Sequence, residues 1–164
     1  MKTEKIIQAH SVLKAISPLK TPFKICFARN LVLSQPIFDK YNREKDAMFN
    51  SLVKKDEVGN FVYTDFAKKA IESGALEPKD ISFNMFVYKD TEGEALMSKH
   101  IADAREVEVE GLSFESESLS KKIRVKNEDG MYLIVQASEL IDSPDCDIPS
   151  EHLSILFDLN IITK

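Results

Sequence analysis

Asp142, Asp145, Asp147 and Glu151 form the densest carboxylate group in the chain, with Cys146 set between two of them. Hard oxygen ligands of this kind hold Ca²⁺ or Mg²⁺, and the Asp145/Asp147 pair would suit a metal-dependent hydrolase. The same residues fall just before and within the first turn of the last helix that the sequence predicts. There, negative charge is stabilised by the helix dipole without a metal. Cys146 would act as a nucleophile only beside a base that lowers its pKa, and no spacing in the sequence supplies one. Catalytic residues, metal ligands and cofactors are therefore all assigned as none.

The remaining chemistry-bearing residues are equally unfocused. Ser-x-x-Lys recurs at Ser11/Lys14, Ser17/Lys20, Ser51/Lys54 and Ser118/Lys121, without the Ser-Asp-Asn and Lys-Thr-Gly elements of a serine acyltransferase. His10, His100 and His152 are scattered, and neither His-Glu-x-x-His nor a Gly-rich phosphate loop is present. Cys26 and Cys146 lie outside any Cys-x-x-Cys or Cys/His ligand spacing. Free thiols in a reducing cytoplasm are the expectation, with a long-range disulfide as the alternative.

Charge is unevenly laid out. The net charge of -5 divides into eleven Lys/Arg against four Asp/Glu up to Lys55, and eleven against twenty-three beyond it. Such asymmetry fits two solvated faces that attract each other, or a basic half that meets an anionic partner. Lys14, Lys20, Lys24, Arg29, Lys40, Arg43 and Lys45 show neither an obvious common face nor a stacking-aromatic motif. Together with the negative total, that argues against nucleic-acid binding. The start of the chain lacks the unbroken apolar core of a signal peptide, and no stretch approaches a membrane span, so a cytosolic protein is expected.

The elements that would position these residues follow from periodicity. Ile6, Ala9, Val12, Leu13 and Ile16 recur at helical steps until Ser17-Pro18. Thr21-Pro22 opens a long second helix, with a kink or break expected at Pro36, and the pair should form an antiparallel helical hairpin. Gly59-Asn60 reads as a turn into a short strand, and Thr64 to Gly74 bound a third helix. Alternation of Ile81, Phe83, Met85 and Val87 predicts a strand. Thr91 and Glu94 have capping-box spacing before a fourth helix along Met97, Ile101 and Ala104. "REVEVEG" predicts a strand with Val107 and Val109 inward and Glu106, Glu108 and Glu110 as an acidic row, continued by Glu115 and Glu117. "KKIRVKNEDGMYLIVQ" predicts two strands joined through Asp129-Gly130. The fold class is therefore α+β, an N-terminal antiparallel helical hairpin packed with a small antiparallel sheet and a C-terminal helix. We expect one domain over 1–164, with a seam near 56–63 between a basic helical part (1–55) and an acidic α+β part (64–164).

The last helix, "IPSEHLSILFDLNII", spreads Leu153, Ile155, Leu156, Phe157 and Leu159 over roughly 200° of its circumference. It is either wedged inside its own fold or offers Leu153, Leu156 and Phe157 to another subunit, giving a homo-oligomer.

The hairpin segment, its charged "KDEVGNFV" turn and the Pro-led last helix together resemble an uncharacterised group of small tailed-bacteriophage proteins. Against that pattern the region from about 75 to 140 looks like an insertion. The resemblance carries no catalytic residues. It implies phage origin, action through protein contacts with itself or a host protein, and a place in the host cytoplasm or the virion. The leading expectation is a non-enzymatic virion or assembly component. The alternatives are an inhibitor of a host antiviral defence protein, using Glu106, Glu108, Glu110, Glu115 and Glu117 as an acidic surface, and the hydrolase.

Overall fold

Apolar residues at three- and four-residue steps wind the start of the chain into α1, Thr3–Ile16, which buries Ile6, Ala9, Val12, Leu13 and Ile16 on one face. In this computed structural model, residues 1–19, 21–77, 80–126, 129–141 and 146–164 are described. They form six α-helices and four short strands and fall into two units, one of residues 1–39 with 107–164 and one of residues 40–106. The class is α+β. The unit boundaries lie inside α2, Lys24–Leu52, and at the end of α4, Gly93–Glu106. Residues 56–60, where the seam was expected to begin, form a tight turn within the second unit.

In the first unit, α1 starts without a side-chain cap. The Thr3 N–H and hydroxyl both donate to the Val107 carbonyl, at 2.8 and 2.9 Å, which satisfies a donor that a cap would have served. The Val109 N–H donates to the Met1 carbonyl at 2.9 Å, so 107–109 is fastened to the beginning of the chain. Val107 itself is exposed, not inward as the alternation suggested, because α4 runs on through Glu106 and consumes the start of the expected strand.

α2 runs unbroken through Pro36. Of the kink or break expected there, the break does not occur, and exposure gives the reason. Proline removes the bond from residue 36 to the Val32 carbonyl, and both residues are on the solvent side, where water can serve that carbonyl.

The second half of this unit holds two separate pairs of strands. β1, Glu117–Ser118, pairs in parallel with β4, Ile162–Thr163, and β2, Lys122–Lys126, pairs antiparallel with β3, Tyr132–Gln136. The β2–β3 ribbon turns through Asp129-Gly130, with Gly130 at φ +82°, a conformation that favours glycine. The five-residue α5, Ala137–Ile141, follows directly.

α6, Ser150–Asp158, packs against α1 and ends in a Schellman arrangement. Asn160, at φ +54°, donates to the Phe157 carbonyl, and Ile161 donates to that of Leu156. The reversal sends Ile161 and Ile162 into the core with Leu13, Ile16, Phe23 and Leu156. Leu156 is 0% exposed, while Leu153, Ile155 and Phe157 pack partly against the same core. The last helix is thus wedged within its own unit, and Leu156 is corrected from an interface residue to a core residue.

In the second unit, Thr64 caps α3, Asp65–Glu72, by accepting from the Ala67 N–H at 3.3 Å, and Gly74 at φ +72° follows its end. The Asp56 carboxylate accepts from the backbone N–H groups of Val58 and Asn60, which closes the turn around Gly59. Extended segments at 53–55, 61–63 and 86–88 are joined by isolated bridges, not by a continuous ladder. The strand expected from Ile81 to Val87 is correspondingly replaced. Phe83–Met85 is a 3₁₀ turn, and extended chain begins at Phe86, whose ring meets those of Phe49, Phe61 and Tyr63. At the start of α4 the Asp90 carboxylate accepts from the Glu92 N–H, in place of the expected Thr91/Glu94 box. Gly93 admits the Tyr88 ring there, because an added Cβ would sit 2.7 Å from it.

Candidate interaction surface

The first half of α2 is two-faced by sequence. Phe23, just before it, with Cys26, Phe27, Asn30 and Ser34 recur at helical steps and are buried, while Ile25, Ala28, Arg29, Val32 and Leu33 fall on the opposite side and are exposed. The inner face carries a polar ladder. Asn30, fully buried, donates to the Glu115 carbonyl at 2.8 Å and accepts from the Glu115 N–H at 2.7 Å, so one amide serves both backbone groups of one residue. The Cys26 thiol also donates to that carbonyl, at 3.3 Å. Burial first, and then Glu117 and Glu115 nearby, push this thiol up to about 11, which leaves it protonated and unreactive. Each orphaned buried group at such a clamp costs about 1–3 kcal/mol, so the clamp fixes the 112–118 segment firmly on α2.

Further along, His10 Nδ1 lies 3.0 Å from Ser34 Oγ and the imidazole stacks on Phe38 at 4.1 Å. A serine beside a histidine suggests a nucleophile and its base. Ser34 is completely buried, however, and its hydroxyl is within bonding distance of the Asn30 and Leu31 carbonyls. Burial, and secondarily Lys14, lower the His10 pKa, with Asp39 opposing. The pair is a closed structural contact with no face for a substrate.

The outer face is the unusual one. Ile25 is 71% exposed and Val32 72%, and with Lys24, Ala28, Leu33, Arg29 and Glu115 they line a shallow, mostly apolar groove of about 680 Å³. Arg29 and Glu115 form an ion pair of 3.2 Å on its rim. Both side chains are substantially exposed, so the pair is worth little in stability, about 0–1 kcal/mol.

No known protein family, curated protein or solved structure matches this chain.

The glutamates expected as one acidic row are carried by different elements. Glu106 ends α4, Glu108 bridges to Lys2, and Glu110 follows in the connection. Glu115 is held to Arg29, and Glu117, in β1, is held to Lys121 at 2.7 and 2.8 Å. Among the Ser-x-x-Lys pairs, Ser11 and Ser51 bond backbone carbonyls and Ser118 faces Ser120. Lys20, Asp142 and Asp145 lie outside the described residues, and with them the Ser17/Lys20 and Asp145/Asp147 expectations. Among the described residues, no three His, Cys, Asp or Glu side chains gather as metal ligands, and no helix is long and apolar enough to cross a membrane. Both cysteines are free thiols.

Sequence reasoning passed over the α2 groove because Ile25 and Val32 lie off the helical face of Phe23 and Phe27 and were not weighed. The signal was present in Cys26, Asn30 and Ser34. Three polar residues at four-residue steps mark a face tied to specific partners, and that face leaves the apolar residues opposite it to look outward.

Proposed function

We propose that this protein works by binding another protein through the outer face of α2, and not by catalysis. The observation that carries the reading is the Ile25/Ala28/Val32/Leu33 stripe, with two β-branched side chains more than two-thirds exposed on a regular helix. Residues at i, i+3, i+7 and i+8 are the pattern by which one helix receives another in a groove. Lys24 and the Arg29/Glu115 pair at the margin would give that contact its register more than its strength. The fitting partner is an amphipathic helix with its own aliphatic stripe. The resemblance of the N-terminal helices and last helix to phage proteins supports a virion or assembly component as the setting, with the partner drawn from the particle or the host.

Val32→Asp tests this directly. It places a charge in the middle of the stripe at a solvent-facing site, so the far-ultraviolet spectrum and melting temperature are expected to stay as in the wild type. A photo-crosslinking residue at position 32 is expected to capture one discrete protein in cells that carry the natural neighbours, and Val32→Asp, with the crosslinker moved to position 25, is expected to lose it. Equal capture from exposed Lys14, outside the groove, or indifference to Val32→Asp, would remove the reading.

A further inference from the structure

The outer face of the β2–β3 ribbon carries two side-by-side rows of different chemistry. Cross-strand partners share a face, so Lys122 lies beside Gln136, Arg124 beside Ile134 and Lys126 beside Tyr132. All six are exposed, Tyr132 at 59% and Ile134 at 72%, while Ile123 on the opposite face packs against the core. One row is cationic, and the row beside it is mostly aromatic and aliphatic. The Arg124 guanidinium lies 3.9 Å from the centre of the Tyr132 ring, a cation–π contact that joins the rows in the middle of the face.

The charge is locally one-sided. Neither strand contains an acidic residue, so three cations stand together in a chain whose total is -5. Among the described residues none of the three is in an ion pair, whereas the adjacent Lys121 is held by Glu117 at 2.7 Å. Charge on an edge strand deters unwanted pairing, but that purpose calls for no exposed aromatic and aliphatic row alongside. The basic residues between Lys14 and Lys45 share no obvious face. These three do, as a nucleic-acid surface requires.

We infer that this face binds single-stranded nucleic acid. Cations at alternate positions of a strand recur every ~7 Å, close to the phosphate repeat of a nucleic-acid backbone. An acidic peptide matches the charges alone. Unstacked bases also use the second row, lying on the Arg124–Tyr132 stack and against Ile134, since aromatic rings and guanidinium planes are the surfaces on which single-stranded bases settle. A duplex keeps its base faces covered and leaves that row empty. The site is separate from the α2 groove, so the two readings stand or fall independently.

The test is fluorescence anisotropy of the full chain with a labelled oligothymidylate of about ten nucleotides, with unlabelled single strand, duplex of the same length and polyglutamate as competitors. The wild type is expected to bind the single strand, with the logarithm of affinity falling against that of salt at a slope of about -2, from three phosphate contacts at ~0.7 each. Lys122→Gln combined with Lys126→Gln is expected to reduce the slope to about -0.7. Tyr132→Ala is expected to weaken binding about fivefold or more and to leave the slope unchanged. These sites are exposed, so melting temperatures should match the wild type, and Lys14→Gln, outside the ribbon, should bind as the wild type does. Absence of salt-sensitive binding overturns the inference, and so does indifference to Tyr132→Ala or an equal loss in Lys14→Gln. Polyglutamate or duplex competing as well as the unlabelled single strand would assign the row to an acidic protein or to a duplex, and overturn it as well.

Discussion

His10 shows how little a residue type says before its surroundings are known. Its ring stacks on Phe38 and its Nδ1 meets the Ser34 hydroxyl, and burial first, then Lys14 against the opposing Asp39, disfavours the charged form. The folded-state pKa is lowered from the ordinary 6.5, so the unfolded chain takes up the proton first as pH falls. The stabilisation is complete above the unfolded value and declines as pH drops from 6.5 through the folded pKa. Urea unfolding at pH 7 and pH 5 is expected to show lower stability at pH 5, with a smaller difference in His10→Phe. An unchanged difference would mean that other groups carry the acid sensitivity. None of this was legible from "QAHSVL", since His10 and Ser34 are 24 residues apart in sequence and meet only because α1 packs near α2. The Asn30 clamp on Glu115, 85 residues away, was hidden for the same reason.

At the scale of elements, what the sequence showed well was local. The Thr64 cap, the Gly74 stop, the Asp129-Gly130 hairpin and the apolar stripe of α1 each depend on a few neighbouring residues, and each stands as expected. The errors came where two periods compete over a short window. "REVEVEG" alternates, yet Arg105 and Glu106 complete the last turn of α4, and the remainder is fastened by backbone bonds to the first residues of the chain. The break expected at Pro36 was the other error, because the rule that proline breaks a helix takes no account of which way the freed carbonyl faces. Pro36→Ala should restore the bond to the Val32 carbonyl. With an interior proline costing about 3 kcal/mol relative to alanine at full strength, an increase in stability of ~1–3 kcal/mol is expected by urea unfolding. A decrease would show that α2 needs the shape proline gives it.

For the whole molecule, the core of the first unit is assembled from both ends of the chain, with Leu13, Ile16 and Phe23 from one and Leu156, Ile161 and Ile162 from the other. Leu156→Ala is therefore expected to destabilise by ~2–5 kcal/mol, as for other fully buried leucines, while leaving any self-association unchanged at concentrations where the protein is folded. Neutral stability with altered mass in light scattering would return that residue to an interface. Charge asymmetry, the most visible whole-chain property, says less. Arg29–Glu115 joins the basic and acidic segments, but the Lys121–Glu117 and Lys40–Glu44 pairs are local.

The discontinuous first unit also bears on how the chain is made. Residues 40–106 have all their unit's partners once that stretch has left the ribosome, whereas α1 waits through the synthesis of more than a hundred further residues for α6 and β4. During that interval the face of Ala9, Leu13 and Ile16 has no final covering. Nascent chains halted before Leu156 should therefore be held by chaperones at their beginning, with the middle already folded.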